Sequence, residues 1–262
     1  MGYWVIRTYE ANGVVEKIKF FVQGSRPNKK ISRRVRSEIN KREQNEASAI
    51  KNLSRAINYN FGPEDLFVTL TYDVAGLQKI LKGLPVKESE DERRESIWEK
   101  ANHQMMLFIR RVKRECDKQG IELKYAGTTS DYDHKHDKTV RVHHHLIMSA
   151  DALESIKGKW TLGNVHSFKL GVQDDYRYYA EYMLKQVRWV PDRKKYTPSR
   201  NLARPEPHDR IAVNDSELRV PKGAKILFRA EIRPQRPQYL RYFFPERRFK
   251  DYVKEPSERR QI

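Results

Sequence analysis

Two apolar segments joined by a polar turn lie in the middle of this 262-residue sequence. The segments "IELKYAGTT" (121–129) and "TVRVHHHLIM" (139–148) are rich in residues typical of β-strands, and "SDYDHKHDK" separates them. We therefore expect the second segment to fold back onto the first as an antiparallel pair. Such a pair in the middle of the chain favours a fold built around an antiparallel sheet.

An amphipathic helix precedes this pair and is expected to end at Gly120. The chain's single cysteine lies within the apolar stripe of this helix, so we predict a core role for Cys116 and no catalytic role. A single cysteine excludes an internal disulfide and fits a reducing compartment. Residues of the stripe recur every three or four positions, at Ile97, Ala101, Met105, Phe108, Val112 and Cys116.

Further strands and helices flank these segments. Asn12-Gly13 between two β-rich runs predicts a hairpin over 3–22. The resulting order of elements favours an α+β fold, in which a central antiparallel sheet has its helices on one side. "PQYLRYFF" near the C-terminus fits a strand or a helix. The other elements expected are a strand at "LFVTLTYD" (66–73), helices at 32–58, near 151–157 and at 174–189, a loop with a short helix at 74–95, and strands at "VHSFKL" and "AKILFRAEI".

Positive charge is concentrated in the two ends of the chain, which has a net charge of +18. Residues 1–60 contain 13 Lys and Arg against 5 Asp and Glu, and residues 186–262 contain 20 against 10. Residues 61–185 are balanced, with 20 of each. This segregation favours binding to a polyanion such as nucleic acid over a purely solubilising role. We find neither a membrane-length apolar run nor a signal-peptide pattern, so we expect a cytoplasmic protein without a membrane partner.

Three consecutive histidines lie on the strand predicted over 139–148. Alternation along a strand places His143 and His145 on one face and His144 on the other. A His-x-His pair can offer two imidazoles to one divalent cation. By itself, such a pair is more often a structural or surface feature than a metal site.

The helix predicted at 174–189 has two different faces. Core packing explains an apolar face, but it does not explain a tyrosine pair beside a lysine on the other face. Surface tyrosines with a solvated lysine are the simpler interpretation of that second face when it is considered alone. The apolar face contains Tyr176, Tyr179, Ala180, Met183, Leu184 and Val187, and the second face contains Tyr178, Tyr182, Lys185 and Trp189.

Together, these two groups of residues suit one reaction. A tyrosine oxygen can attack phosphorus and form a covalent ester, but a free phenol has a pKa of about 10 and needs a cation or a base nearby. Lys185 can stabilise the phenolate or the charge on the phosphate. A metal held by two histidines can polarise a phosphate oxygen. The combination indicates phosphodiester transfer onto tyrosine.

Three motifs, in this order, resemble those of the HUH endonucleases, the rolling-circle replication initiators of phages and plasmids. "FVTLTYD" (67–73) is similar to the first motif, and "RVHHHLIM" (141–148) is similar to the His-hydrophobic-His strand, with His144 at a position that is usually hydrophobic. "YYAEYMLK" (178–185) is similar to the third motif of initiators with paired tyrosines. The resemblance covers about residues 60–190.

The resemblance implies an HUH or ferredoxin-like core and a nicking-joining enzyme that retains a 5′-phosphotyrosine and releases a 3′-hydroxyl. It implies a catalytic domain at 1–190 and a basic, Pro/Arg-rich extension at 191–262. The implied cofactor is Mg²⁺ or Mn²⁺. The implied partners are single-stranded or hairpin origin DNA, and a helicase and polymerase from a bacterial host, because the sequence lacks a phosphate-binding P-loop of its own.

The same resemblance implies the roles of individual residues. His143 and His145 are the implied metal ligands, and Tyr182 is the first choice as nucleophile, with Lys185 beside it. Tyr178 is either a second nucleophile or an aromatic that stacks a base.

A third metal ligand is harder to identify, because many relatives place a glutamate late in the strand before the His pair. This sequence has Thr129 or Ser130 at that point. We favour Asp131 narrowly as the replacement, with Asp133 close by and Gln186 as the alternative from the tyrosine helix.

Two basic clusters are candidates for binding the DNA backbone. The first cluster contains Arg26, Lys29, Lys30, Arg33, Arg34 and Arg36, and the second contains Arg193, Lys194 and Lys195.

The alternative functions are relaxase or transposase chemistry on the same motifs, a non-catalytic single-stranded DNA-binding module, and a small metal-dependent hydrolase.

Overall fold

The computed structural model describes residues 2–23, 38–84, 89–188, 190, 193–212, 218–230 and 238–247. The chain forms two compact units, which we call the central unit (residues 38–203) and the terminal unit (residues 1–37 together with 204–262). Each of the two has its own five-stranded sheet.

The elements follow one another in the order that the sequence predicts for most of the chain. The strands are β1 (Gly2–Ala11), β2 (Val14–Gln23), β3 (Leu66–Thr71), β4 (Tyr125–Asp133), β5 (Lys138–Met148), β6 (Val165–Lys169), β7 (Thr197–Pro198), β8 (His208–Ile211), β9 (Lys225–Ala230) and β10 (Gln238–Phe243). The helices are α1 (Glu38–Asn60), α2 (Val74–Leu81), α3 (Glu90–Lys118), α4 (Leu153–Ile156) and α5 (Arg177–Lys185).

The sheet of the central unit has the strand order β6-β3-β5-β4-β7, and the neighbours pair antiparallel. The predicted pairing of β4 with β5 is confirmed, with a register shift between Ser130 and Tyr132 that marks a β-bulge. The α+β fold class is confirmed as well. β5 is the middle strand, so both of its edges are hydrogen-bonded to neighbouring strands.

Helices cover both faces of this sheet, and the expectation that they lie on one side is wrong. On one face, the predicted stripe of α3 packs against Val68 and Leu146. On the other face, α1 and α5 pack against Phe67 and Ile147. Both faces of β3 and β5 carry large apolar side chains, and burying each face stabilises the fold. Cys116 is fully buried in the α3 stripe, in agreement with the predicted core role.

The helix α3 begins at Glu90, which is earlier than its apolar stripe alone indicates. The side chain of Ser89 accepts a hydrogen bond from the backbone N–H of Glu92, and acidic residues occupy the first turn. A serine cap and negative charge at a helix N-terminus both stabilise the first turn. Among the described residues, no helix combines the length and the apolar character that crossing a membrane requires.

The terminal unit contains the predicted N-terminal hairpin. Asn12 and Gly13 both have positive φ, of 48° and 82°, which is the backbone of a tight two-residue turn between antiparallel strands. The sheet order is β8-β1-β2-β10-β9. "AKILFRAEI" contains the predicted strand, now β9, and "PQYLRYFF" forms the strand β10.

The division of the chain differs from the boundary expected after residue 190. The hairpin was expected to belong with the catalytic motifs, but β1 pairs with β8 and β2 pairs with β10, both from the C-terminal part of the chain. Hydrogen bonds between strands far apart in sequence therefore place the hairpin in the terminal unit.

Candidate active site

Three side chains converge on the sheet face that α1 and α5 cover. His143 and His145 of β5 share this face, as strand alternation predicts, and their Nε2 atoms lie 3.1 Å apart. Gln186, which directly follows α5, places Oε1 3.0 Å from Nε2 of His143 and 3.3 Å from Nε2 of His145. The structure thus brings the alternative ligand Gln186 to the histidine pair.

Hydrogen bonds at the far nitrogens orient both imidazole rings. Nδ1 of His143 lies 2.8 Å from the carbonyl oxygen of Arg141, which can only accept, so Nδ1 carries the proton and Nε2 has a lone pair. Nδ1 of His145 lies 3.1 Å from Oγ1 of Thr69, which can accept its proton and leave Nε2 with a lone pair as well. This arrangement suits metal ligation, in which the second ring nitrogen is commonly fixed by such a donor–acceptor contact.

The distances among the three atoms fit a small divalent cation. An octahedral Mg²⁺ site has bonds of about 2.0–2.1 Å, so adjacent ligands lie about 3.0 Å apart. The observed separations of 3.0, 3.1 and 3.3 Å are close to that value. Among the described residues, no cluster of three or more His, Cys, Asp or Glu forms, and Gln186 is the side chain whose oxygen approaches both imidazoles.

Ser130 adds a further indication beside the histidine pair. It is the cross-strand partner of His143, and its Oγ is fully buried with no hydrogen-bond partner among the described atoms. A buried hydroxyl without a partner costs free energy unless water or a ligand satisfies it. A hydrated cation at the three ligands would bring water to this hydroxyl.

His144 lies on the opposite face and belongs to the core. Its side chain is fully buried, with Nε2 2.8 Å from the Tyr72 hydroxyl and Nδ1 3.1 Å from Oγ1 of Thr129. Thr129 donates its own hydrogen to Oδ1 of Asn102, so it accepts from Nδ1–H, and Nε2 accepts from Tyr72. Burial and the two neighbouring histidines lower the pKa of His144 well below the ordinary value.

The helix α5 presents two tyrosines to solvent beside the histidine pair. The ring of Tyr182 lies 5.0 Å from the ring of His145, and Tyr182 is 41% exposed. The ring of Tyr178 stacks on that of Tyr182 at 6.2 Å and is 68% exposed. By contrast, Tyr176 and Tyr179 donate their hydroxyls to the backbone carbonyls of 171 and 170. The two faces predicted for this helix are therefore present.

Lys185 lies on the last turn of α5, three residues after Tyr182. Its Nζ is 4.0 Å from Oε2 of Glu181, and the other carboxylate oxygen, Oε1, accepts a hydrogen bond from Nε of Arg177 at 2.6 Å. Because the lysine is half-exposed and its ion pair is long, it retains the ability to contact an incoming anion. The helix ends here and not at 189 as expected, and Trp189 lies outside the described residues.

Asp131, the ligand favoured from the sequence, contacts Arg188. Its Oδ1 accepts a hydrogen bond from the backbone N–H of Arg188 at 3.4 Å, and Oδ2 lies 3.7 Å from the Nε of the same residue. Burial raises the pKa of this carboxyl. The backbone N–H groups of Asp131 and Tyr132 both donate to the carbonyl of Gln186 at 3.2 Å. The bulge therefore holds the end of α5, while Asp133 pairs with His136 in the exposed turn.

The second basic cluster does not form a fully exposed surface. The side chain of Arg193 is 7% exposed, pairs with Glu95 and lies over the Trp98 ring. Nζ of Lys195 lies 3.5 Å from Glu46, and Lys194 is exposed. Acidic partners on α3 and α1 explain why two of these three cations pack against helices of their own unit. The first cluster, residues 26–36, lies outside the described residues.

The sequence analysis assigned no role to three residues that shape this site. Thr69 orients His145, Ser130 lies opposite His143, and Phe67 contacts the rings of both His145 and Tyr182. Alternation along "LFVTLTYD" places Phe67 and Thr69 on one face, and that signal, combined with the pairing of β3 with β5, identifies them.

Acid is expected to destabilise the metal-free central unit, because buried imidazoles must take up protons on unfolding. Burial, reinforced by His143, lowers the pKa of His145 to about 3, whereas an unfolded histidine has a pKa of about 6.5. The unfolded chain therefore binds more protons between these values, and stability falls as the pH falls from 6.5 towards 3. His145 alone accounts for a loss of about 2 kcal/mol at pH 5, and His144 acts in the same direction.

Urea unfolding at pH 7.5 and pH 5 in the presence of a chelator measures this loss. His144→Gln should reduce the difference between the two pH values, while His103→Gln, at an exposed position of α3, should leave it unchanged. Equal stability of the parent protein at both pH values would contradict the assignment of neutral, buried histidines.

Comparison with protein-family models finds a match over the central part of the chain. Residues 65–187 match the family model described as replication-associated protein ORF2/G2P. The matched segment runs from the start of β3 through α5 and includes the histidine pair, Gln186 and both exposed tyrosines. No curated protein and no solved structure matches the chain. The central unit is thus similar to replication-associated proteins.

Proposed function

We propose that this protein is a metal-dependent nicking-joining enzyme that cuts single-stranded DNA and initiates rolling-circle replication. One observation carries this proposal: the exposed Tyr182 lies against His145 at the point where His143, His145 and Gln186 converge. The similarity of residues 65–187 to replication-associated proteins supports the choice of DNA as the substrate.

The reaction begins with the Tyr182 hydroxyl. Its oxygen attacks the scissile phosphorus, the new P–O bond forms to tyrosine, and the bond to the 3′-oxygen of the preceding nucleotide breaks. The phenol proton is lost to solvent, and the leaving 3′-oxygen gains a proton. The product is a 5′-phosphotyrosine and a free 3′-hydroxyl that a polymerase can extend. Attack by a later 3′-hydroxyl reverses the ester and rejoins the strand, so one phosphodiester replaces another without an external energy source.

The chain's own residues assist this step in three ways. Lys185 stabilises the phenolate or the charge on the phosphate, because it follows Tyr182 by one turn and is half-exposed. His143, His145 and Gln186 would hold Mg²⁺ or Mn²⁺, and the bound ion would supply a Lewis acid for a phosphate oxygen. Tyr178, stacked on Tyr182, is available for a second transfer or for stacking a base.

The terminal unit carries most of the net positive charge available for binding DNA. It contains 24 Lys and Arg against 11 Asp and Glu, whereas the central unit contains 29 against 24. Such charge attracts the phosphate backbone without reading its sequence. Strand separation and extension would come from a partner helicase and polymerase.

Asp131 is expected to support Gln186 without binding the metal. Asp131→Asn should keep the hydrogen bond from the N–H of Arg188 and change Mn²⁺ affinity by less than about threefold. Because burial already disfavours the ionised carboxyl of Asp131, the substitution should change the free energy of unfolding by less than about 1 kcal/mol. Isothermal titration with Mn²⁺ and urea unfolding measure the two effects. A loss of Mn²⁺ binding in Asp131→Asn, at unchanged stability, would instead make Asp131 a ligand.

A denaturing gel tests the proposed function. The protein is incubated with labelled single-stranded oligonucleotides from its replicon, with Mn²⁺ or with chelator, and then denatured. We expect a slower-migrating covalent adduct that depends on Mn²⁺. DNA binding without any adduct, across oligonucleotides that cover the whole replicon, would identify a binding module and refute the enzyme.

A further inference from the structure

A row of aromatic rings runs from the candidate active site to the edge of the central sheet. Phe168 lies on the edge strand β6, opposite Phe67 of β3, and the two rings stack at 5.2 Å with an interplanar angle of 28°. Phe67 in turn contacts the ring of His145 at 5.4 Å and the ring of Tyr182 at 5.9 Å. One aromatic ring therefore separates Phe168 from both the proposed nucleophile and a proposed metal ligand.

The two phenylalanines differ sharply in burial. Phe67 is 3% exposed and packs in the core with α1 and α5, whereas Phe168 is 55% exposed. Packing in the core therefore accounts for an aromatic side chain at Phe67, but it does not account for one at the exposed Phe168. Two residues earlier on β6, the exposed His166 lies opposite Thr69, in the same cross-strand row as His145. The edge strand thus extends the face of the active site with an open aromatic ring and an imidazole.

We propose that Phe168 is a stacking subsite for an unpaired DNA base next to the scissile phosphate. This inference rests on the proposed function, because it takes DNA to be the ligand of the adjoining site. Every base has a π face, and an exposed aromatic ring beside a phosphate-binding site can stack one without reading its identity. Stacking on Phe67 fixes the ring plane of Phe168 and leaves its exposed surface for the base.

The charge of the protein favours DNA over an apolar partner at this position. A net charge of +18 attracts a polyanion, and the row of rings is continuous with the side chains proposed to bind its phosphate. A base stacked on Phe168 holds the neighbouring backbone close to His145 and Tyr182. Phe168 is therefore a positioning residue, which sets where along the strand the phosphate meets the nucleophile.

Binding of labelled oligothymidylate, about 12 nucleotides long, tests this proposal by fluorescence anisotropy. The background variant is Tyr182→Phe, and a chelator is present, so that neither metal nor covalent chemistry contributes. Phe168→Leu keeps an apolar side chain but removes the π face, and we expect it to weaken binding by about 5- to 100-fold. Phe168→Trp should restore affinity to within about threefold.

The salt dependence separates stacking from a structural defect or a lost phosphate contact. The slope of log affinity against log salt should be the same in Phe168→Leu and in the parent, because no phosphate contact is removed. Leu153→Ala is the control, since Leu153 is an exposed apolar side chain on α4 of the same unit, and it should change affinity by less than about twofold. Ile156 of that helix packs in the core on the α3 face of the sheet, away from the histidine pair.

Three results would overturn the subsite. The first is unchanged affinity in Phe168→Leu, and the second is an equal loss in Leu153→Ala. The third is a change of oligomeric state in Phe168→Leu with DNA affinity intact, which would assign the ring to a second copy of the chain. Because the assay uses neither metal nor nucleophile, it reports stacking even when the wild-type protein forms no adduct. Failure of the proposed function and failure of this inference are thus distinguishable.

Discussion

Replacing Tyr182 by phenylalanine is expected to abolish the covalent protein–DNA adduct while DNA binding survives. The substitution removes the attacking oxygen and keeps the ring that packs against His145 and Phe67. Loss of a nucleophile removes the chemical step, so adduct yield should fall by at least about 10³-fold. Affinity for single-stranded DNA should stay within about threefold, because a partly exposed hydroxyl contributes little to binding.

Two other tyrosines provide matched controls for this variant. Tyr179→Phe also removes one hydroxyl from α5, but that hydroxyl donates to the carbonyl of Leu170, so the adduct should form normally. Tyr178→Phe keeps an aromatic ring stacked on Tyr182. If Tyr178 is a second nucleophile, Tyr178→Phe should form the first adduct and fail to transfer it to a second strand. If Tyr178 only stacks a base, both transfers should survive in Tyr178→Phe and weaken in Tyr178→Leu.

The measurement is the denaturing gel, with DNA affinity measured in parallel by anisotropy. Adduct yield equal to that of the parent in Tyr182→Phe would remove Tyr182 from the reaction. A variant that loses adduct and binding together, with unchanged far-ultraviolet circular dichroism, would make Tyr182 a binding residue and not a nucleophile.

The parts of the site that local periodicity determines were accessible from the sequence. Alternation along one strand separates His143 and His145 from His144, and a period of 3.6 residues separates Tyr182 from Tyr179 on one helix. Both separations depend only on near neighbours in the chain. The structure separates His144, which lies in the core, from His143 and His145. It also separates the exposed Tyr182 from Tyr179, whose hydroxyl donates to a backbone carbonyl, and both separations follow these periodicities.

The third side chain at the histidine pair depends on contacts that periodicity does not describe. Gln186 reaches His143 because α5 stops at Lys185 and the bulge of β4 binds the carbonyl at that end. The same bulge turns Asp131 towards Arg188. Apolar spacing alone reveals neither the position of a bulge nor the end of a helix. The sequence prediction therefore favoured Asp131, which directly follows the position where many relatives place a glutamate.

The assignment of the N-terminal hairpin to the terminal unit also depends on contacts that local sequence patterns do not describe. The turn at Asn12-Gly13 fixes the hairpin locally, and this was predictable. Its pairing with β8 and β10 joins residues about 200 positions apart, and no local pattern specifies such a partner. The predicted boundary at 190 followed the motifs, whereas the structural division follows strand pairing.

Replacing both His143 and His145 by alanine is expected to remove Mn²⁺ binding and Mn²⁺-dependent adduct formation. The two imidazoles supply two of the three atoms that converge within 3.3 Å of one another, so the single ligand that remains would not retain the ion. Adduct yield with Mn²⁺ should fall to the level seen with chelator, a loss of at least about 10²-fold. Titration calorimetry measures the ion, and the denaturing gel measures the adduct.

Because His145 is 3% exposed, its replacement can also destabilise the fold, and variants of Gln186 avoid this complication. Gln186→Ala should weaken Mn²⁺ binding by at least about tenfold, since it removes one ligand at the half-buried end of a helix. Gln186→Glu should strengthen Mn²⁺ binding, because a carboxylate adds a full negative charge where the amide oxygen now lies. If Mn²⁺ affinity falls in Gln186→Ala and rises in Gln186→Glu, the ion binds at Gln186. If both variants bind Mn²⁺ with equal affinity and the double histidine variant keeps full activity, this site is not the metal centre.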